Sequence, residues 1–249
     1  MFLKKIKPLR LIAVFFLVLV GIVFLPLLFI NVSALTKSYP VVMLHGSEVD
    51  VKFQTQRPLN WTSLSEISTV AQAAITMSED SNFWHHNGYD TEQIKKSMKA
   101  NWKAKKYIRG ASTITQQVAK NLFLYRKKSL ERKIKELLLA VQLERKLAKS
   151  KILEIYINIA EWGPGIYGIK NAAHYYFSKS PVELTAKEGA FLAMLLPSPK
   201  RYSRTFKAKG LTAYAARRIE DILEKLYITH YLSQEDFTRE LHEPLGVNL

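Results

Sequence analysis

Beyond residue 60, apolar positions recur at helical spacing, and the stripe they form ends on a carboxylate. Ser63 and Glu66 stand as a capping box, and Ile67, Val70, Ala71, Ala74 and Ile75 follow at intervals of three and four. The pattern predicts a helix over 63–80. Ala71, Ile75 and Glu79 lie four apart and share a face, while Gln72, Thr76 and Asp80 share the polar face beside it. A carboxylate that continues a buried stripe is costly unless it is paired or used. Desolvation raises its pKa, which suits a general base. A glutamate at a frayed, half-solvated helix end fits the same residues, so this stretch alone leaves both readings open.

The pattern elsewhere is also helical. Residues 11–30 carry no charge, and the uncharged run continues to Thr36, long enough to cross a bilayer. Lys4, Lys5, Lys7 and Arg10 precede it, which predicts a cytoplasmic tail over 1–10 and a single-pass anchor over 11–33. A cleaved signal peptide ending at Val32-Ser33-Ala34 is the rival. Residues 34–60 read as a tether, with Val49-Asp50-Val51-Lys52-Phe53 alternating as a short strand would. Asn87-Gly88 marks a turn. A helix follows with Ile114, Val118 and Leu122 as its buried line, then one over 129–149 with Leu130, Ile134, Leu137, Leu138 and Val141 as its core line. Further helices are predicted over 151–160, 170–177, 188–196, 211–226 and 234–241, the last two as a C-terminal cap.

Composition narrows the partners. The chain has 249 residues, 48% hydrophobic and 23% charged, enough for one domain with a real core. It has no cysteine, which excludes disulfides, thiolate metal sites and cysteine nucleophiles. Net charge is +16, and beyond the first ten residues 33 basic against 21 acidic residues leave +12. Between residues 89 and 133, 13 lysines and arginines face three acids. The partner implied is polyanionic: nucleic acid, anionic lipid or a pyrophosphate. Over 91–109, lysines interleave with Met98, Trp102 and Tyr107, as in a segment lying on an anionic membrane, though a solvated basic helix has the same composition.

Three further groups bear on chemistry. Gly110 and Ser112 precede a helix start that offers N–H groups to an anion, with Gln116 and Lys120 on one face and Gln117 and Asn121 on another. Arg132, Lys133 and Glu136 form an i, i+1, i+4 set in which the cations come first, the less stabilising order for a simple helical ion pair. Glu154 and Asn158 stand four apart on the next helix.

Taken in order, these segments resemble the peptidoglycan glycosyltransferase family in its monofunctional form, the domain family shared with class A penicillin-binding proteins. The resemblance covers residues 60–235. It rests on Glu79, Asp80, Phe83, His86 and Gly88; on the run from Gly110 to Gln117 with Lys120 and Asn121; on Arg132, Lys133 and Glu136; on the run from Ile152 to Asn158 with Gly163, Gly168, Ala172, Tyr176 and Phe177; and on Arg218, Ile222, Leu223 and Leu226. Lys128 stands where many members carry arginine, and His230 where a turn glycine is usual.

The resemblance implies an all-α, lysozyme-like fold of two lobes around a cleft, with one N-terminal transmembrane helix and the glycosyltransferase domain over 61–249. It implies polymerisation of lipid II into glycan strands for the cell wall, at the extracytoplasmic face of a bacterial cytoplasmic membrane. Partners would be lipid II, the nascent strand, membrane lipids and other wall-synthesis and division proteins, and not nucleic acid. Glu79 and Glu136 would be catalytic. Asp80, Phe83, Ser112, Gln116, Gln117, Lys120, Asn121, Lys128, Arg132 and Lys133 would bind substrate. No His/Asp/Glu cluster has metal-site spacing, so a divalent cation, Mg or Mn, would be shared with the donor pyrophosphate. No S-x-x-K or K-T-G motif of a transpeptidase occurs in the chain. The alternatives are a lysozyme-like lytic enzyme and a non-catalytic, membrane-anchored basic binding protein.

Overall fold

The computed structural model describes residues 14–15, 17–18, 20–22, 25, 27, 29–46, 48–106, 110–125 and 129–247. The expected tail over 1–10 and Lys128 lie outside these residues, as does part of the expected anchor. Its described residues from 14 to 22, with residues 25 and 27, are helical, and Val14, Phe15, Leu17, Val18, Ile22 and Leu25 are exposed. Among the described residues no helix is long and apolar enough to cross a membrane.

Helix α1 (Thr69–Glu79) starts later than its capping box suggested. Ser63 and Glu66 do form that box, but it closes a 3-10 turn, Leu64–Glu66, because Ile67 is extended at φ −123° and ψ 136°. The buried side of α1 is Ala71, Ala73, Ala74, Ile75 and Thr76. Its small residues admit α7 (Ala186–Leu195), whose residues are all buried except Lys187. A helix apolar on every side belongs at the centre of a core. Gly189 of α7 sits so close to α1 that a Cβ there would lie 2.7 Å from the Ala71 Cα, a backbone atom that has no room to yield. Gly189→Ala is therefore expected to cost about 1–3 kcal/mol through overpacking. The check is a lower urea midpoint with an unchanged slope.

Around this pair stand α9 (Ala213–Ile228), which packs on both helices, and α10 (Gln234–His242), which packs on α9. His230, just after α9, takes φ +61°, the conformation for which a glycine is the usual choice. Helix α8 (Pro199–Lys209) was not foreseen. Its opening proline reads as a chain breaker, yet Pro is well tolerated at the first helical position.

A second group comprises α3 (Ile114–Phe123), α4 (Leu130–Lys146) and α5 (Lys149–Ile159), with α3 lying against both of the others. The expected core line of α4 is wrong at Leu130, Ile134 and Leu137, while Leu138 packs on the core. Its buried residues are Glu136, Leu139, Ala140 and Leu143, whereas Leu130 is 79% exposed and Ile134 and Leu137 also face outward. Periodicity located an apolar stripe correctly but not the medium it faces. Basic α2 (Thr91–Ala104) likewise leaves Met98 exposed and Trp102 86% exposed.

The chain is mostly helical, but not all-α. Residues expected as a tether form an antiparallel hairpin, β1 (Tyr39–His45) with β2 (Glu48–Gln54), in register from Tyr39↔Gln54 to His45↔Glu48. The hairpin rests on α5, and Phe53 stacks on Phe123 of α3 at 6.0 Å. A second, shorter pair, β3 (Glu161–Gly163) with β4 (Ile166–Tyr167), leads into α6 (Ile169–Phe177). Just before the first hairpin, Val32 and Leu35 are buried in a turn that packs on α4.

Candidate active site

Glu79 ends α1, and its side chain meets both other walls of a cleft. Gln117 Nε2 of α3 donates to Glu79 Oε2 at 2.6 Å, and the Tyr156 hydroxyl of α5 lies 3.4 Å from the same oxygen. Burial pushes the Glu79 carboxyl above the ordinary range; the Gln117 and Tyr156 hydrogen bonds and the Lys120 charge oppose the rise, and Asp80 adds to it. The residue keeps some accessible surface, so the carboxylate is poorly solvated yet reachable. Burial, then the Glu79 charge, drive the Tyr156 phenol well above its ordinary range. It therefore keeps its proton and remains a donor toward Glu79.

The residue after Glu79 turns away. Asp80 is buried, with His86 Nε2 3.0 Å from each carboxylate oxygen and the Ile114 N–H donating to Oδ2 at 3.0 Å. Gly88 N–H donates to His86 Nδ1, so Nε2 carries the proton that Asp80 accepts. Asp80 thus pins the end of α1 to the start of α3. Asp80, expected among the substrate-binding residues, has both oxygens engaged within the protein. Gly88 completes the joint. It has φ +96°, its carbonyl accepts from the Thr113 hydroxyl at 2.8 Å, and a Cβ there would lie 3.0 Å from the Ala140 carbonyl carbon. Phe83 is fully buried, with the Lys149 ammonium 4.4 Å from its ring centre.

The cations gather on α3 and α4. Glu136 is 3% exposed, and its two oxygens engage Lys133 and, at 3.3 Å, Arg132. Lys133 also donates to Ser112 Oγ at 3.0 Å and to Gln116 Oε1 at 3.1 Å. Lys120 stands between the two glutamates in electrostatic terms. Burial lowers its pKa, Arg132 and Lys133 lower it further, and Glu136 and Glu79 oppose that. The Nε of Arg132 is buried without a hydrogen-bond partner. A cavity of about 730 Å³ opens beside it, lined by Lys120, Asn121, Tyr125, Arg132, Glu161 and, across from them, Glu48 of the hairpin.

The site therefore joins Glu79, Gln117 and Tyr156 at one end to Ser112, Gln116, Lys120, Asn121, Arg132, Lys133 and Glu136 at the other. Tyr156 was missed as a site residue because it sits in the apolar run of α5. Glu154 serves as a brace, accepting from Trp61 Nε1 at 3.1 Å and Lys151 at 2.8 Å. Asn158 does the same, exchanging hydrogen bonds of 2.8 Å with the Thr62 backbone. Among the described residues, no group of three or more His, Cys, Asp or Glu side chains is placed to hold a metal.

Residues 46–233 match the family described as Transglycosylase. The chain is 40% identical over 189 residues to the biosynthetic peptidoglycan transglycosylase of Acinetobacter baylyi, covering 75% of this chain and 84% of that one. It is 48% identical over 166 residues to the protein of the same description from Paraburkholderia phytofirmans, covering 67% and 68%. To penicillin-binding protein 1A of Aquifex aeolicus it is 39% identical over 187 residues, which is 75% of this chain and 25% of that larger protein.

Proposed function

The chain belongs to the transglycosylase family, and on that premise we propose that it is a peptidoglycan glycosyltransferase that polymerises lipid II into glycan strands for the cell wall. The observation that carries the mechanism is the Glu79 carboxylate, poorly solvated and aimed by Gln117 and Tyr156, in the same cleft as a cluster of cations.

Glu79 takes the proton from the 4-hydroxyl of the acceptor N-acetylglucosamine. That oxygen attacks C1 of the donor N-acetylmuramic acid, and the bond from C1 to the lipid pyrophosphate breaks on the opposite face. This is the geometry of an inverting glycosidase with a sugar hydroxyl in place of water. The departing pyrophosphate gains charge, which Lys120, Arg132 and Lys133 stabilise from fixed positions. The unpartnered Nε of Arg132 is one donor already in place for it. Gln117 and Tyr156 hold the base; Ser112, Gln116 and Glu136 hold Lys133. Asn121 lines the cavity that takes the donor.

The donor set does not suit a resident metal. Both oxygens of Glu136 are engaged by cations, so no step is routed through a divalent ion.

We place the domain on the extracytoplasmic side of the bacterial cytoplasmic membrane, held by an uncleaved apolar N-terminal segment over 11–33. The exposed apolar side chains from Val14 to Leu25 support this, as does the burial of Leu27 and Val32, which a cut after Ala34 would discard. The outward Leu130, Ile134 and Leu137 and the basic, Trp102-bearing α2 suit the bilayer surface. Changing Lys103, Lys105 and Lys106 together to Gln is expected to weaken binding to anionic vesicles, each cation near such a surface being worth about 1 kcal/mol. The difference should shrink as salt rises. Vesicle sedimentation that ignores both changes would reject this surface.

The test of the function is incubation with labelled lipid II, with products separated on a gel. Long strands are expected. A lytic enzyme would instead shorten preformed strands, and would leave the cation cluster without a purpose. A binding protein would change neither substrate.

A further inference from the structure

From residue 199 to residue 219 the chain carries seven lysines and arginines and no acid. Five stand on α8 and two on the first turns of α9, and the reaction above uses none of them. Some are engaged. Lys200 lies 3.6 Å from Glu161, Lys207 covers the Tyr175 ring at 4.9 Å, and Arg218 pairs with Asp221 at 3.3 Å. Arg204, Lys209 and Arg217 are exposed, and their side chains have no ion-pair or hydrogen-bond partner among the described residues. Cations massed without counter-charges repel one another, and a bound polyanion relieves that cost.

Two tyrosines join the halves of this face. The Tyr202 ring of α8 stacks with the Tyr214 ring of α9 at 6.0 Å, and the Tyr202 hydroxyl donates to that of Tyr214 at 3.5 Å. Arg201 lies over the Tyr202 ring at 4.6 Å, and the charges of Arg201 and Arg218 both reach Tyr214. Tyr214 is 57% exposed, and Arg217, three residues on, shares its side of α9. Exposed tyrosine beside arginine is the composition of a protein interface. A bilayer contact has another. Firm holding on a membrane needs an inserted apolar group beside the charge. On α8 the apolar side turns inward, where Phe206 meets the Phe191 ring at 5.0 Å and Ser203 accepts from the Tyr176 hydroxyl at 2.8 Å. Leu211 in the bend before α9 is 40% exposed, whereas Trp102 on α2 is 86% and Leu130 on α4 is 79% exposed.

We infer that the outer face of α8 and the start of α9 dock an acidic segment of a partner protein, with its carboxylates on Arg204, Lys209 and Arg217 and its chain across Tyr214. Charge complementarity selects the partner: a run of seven cations without an acid matches a run of glutamate or aspartate. The inference goes beyond the polymerase reading and stands without it. The face also borders the site, because Lys200 in the first turn of α8 faces Glu161, which lines the cation-walled cavity.

The test uses the full chain in neutral detergent and a labelled glutamate-rich peptide. The wild-type protein should bind the peptide, and changing Arg204, Lys209 and Arg217 together to Glu should weaken binding by about tenfold or more, with the difference narrowing as salt rises. A matched change on α2, Lys96, Lys99 and Lys103 together to Glu, should weaken it by no more than about threefold, the effect of net charge alone. Equal loss from the two variants would mean diffuse attraction to a basic protein and would overturn the site, as would wild-type binding by the α8–α9 variant or no binding by the wild-type chain. Thermal unfolding checks that each variant is folded. If charge reversal unfolds the chain, Gln at the same three positions carries the test. The vesicle sedimentation described for the α2 lysines gives the separate lipid arm. There the α8–α9 variant should bind anionic vesicles as the wild type does, and a loss as large as that for the peptide would assign the face to lipid instead.

Discussion

Glu79→Gln is expected to polymerise lipid II about 10²–10⁴-fold more slowly than the wild-type chain, the usual worth of a general base. Gln keeps the shape of the side chain and still meets Gln117 and Tyr156, so lipid II binding should persist. The pH dependence is a second signature. Burial raises the Glu79 pKa, so the rate should climb with pH along a limb displaced above the ordinary carboxylate value, and that limb should vanish in the variant. Stability runs the other way. A carboxyl whose folded pKa is raised contributes fully below its unfolded value, and that contribution is lost as pH rises through the folded one. At neutral pH the Gln variant is therefore expected to unfold at or slightly above the wild-type temperature. Near-normal polymerisation by a folded Glu79→Gln protein would remove the proposed base. Rate, lipid II binding and thermal unfolding, measured together, separate chemistry from folding.

Glu136→Gln should act from the other end of the cleft. Its carboxylate aligns Arg132 and Lys133, and Lys133 in turn reaches Ser112 and Gln116. Loss of a group that orients others toward the reacting centre typically costs about 10- to 100-fold in activity. The fold should lose roughly 1–3 kcal/mol, less than an orphaned buried charge costs, because Lys133 reaches solvent. Both engaged oxygens predict that added magnesium or manganese leaves the defect in place. Rescue by either ion would mean that Glu136 serves a metal instead. Turnover with and without each ion, beside urea unfolding, gives the answer.

Part of the candidate site was legible in the sequence, and part of the fold was not. The stripe Ala71, Ile75, Glu79 was legible because helical spacing alone sets which side chains share a face. Arg132, Lys133 and Glu136 were legible for the same reason. Tyr156 was not, since a phenol among isoleucines looks like core until a second helix brings a carboxylate to it. Asp80 and Phe83 were assigned to substrate by position in a motif; the sequence did not show that Asp80 would pin the end of α1 to α3 or that Phe83 would be fully buried. Residues 39–45 carry no alternation that marks a strand, and pairing with residues 48–54 is a relation between segments that neither segment displays alone. On α4, spacing could not tell a stripe facing protein from one facing outward.

The tight seating of Gly189 on Ala71 has a mechanical side. A machine that lengthens a chain unit by unit must let something advance by one repeat in every cycle. The helix that carries Glu79, the proposed base, is held at both ends: Gly189 of α7 seats against Ala71 near its start, and Asp80 pins its end to α3. On the proposed mechanism the strand is then the part that steps, past a carboxylate whose helix is held at both ends.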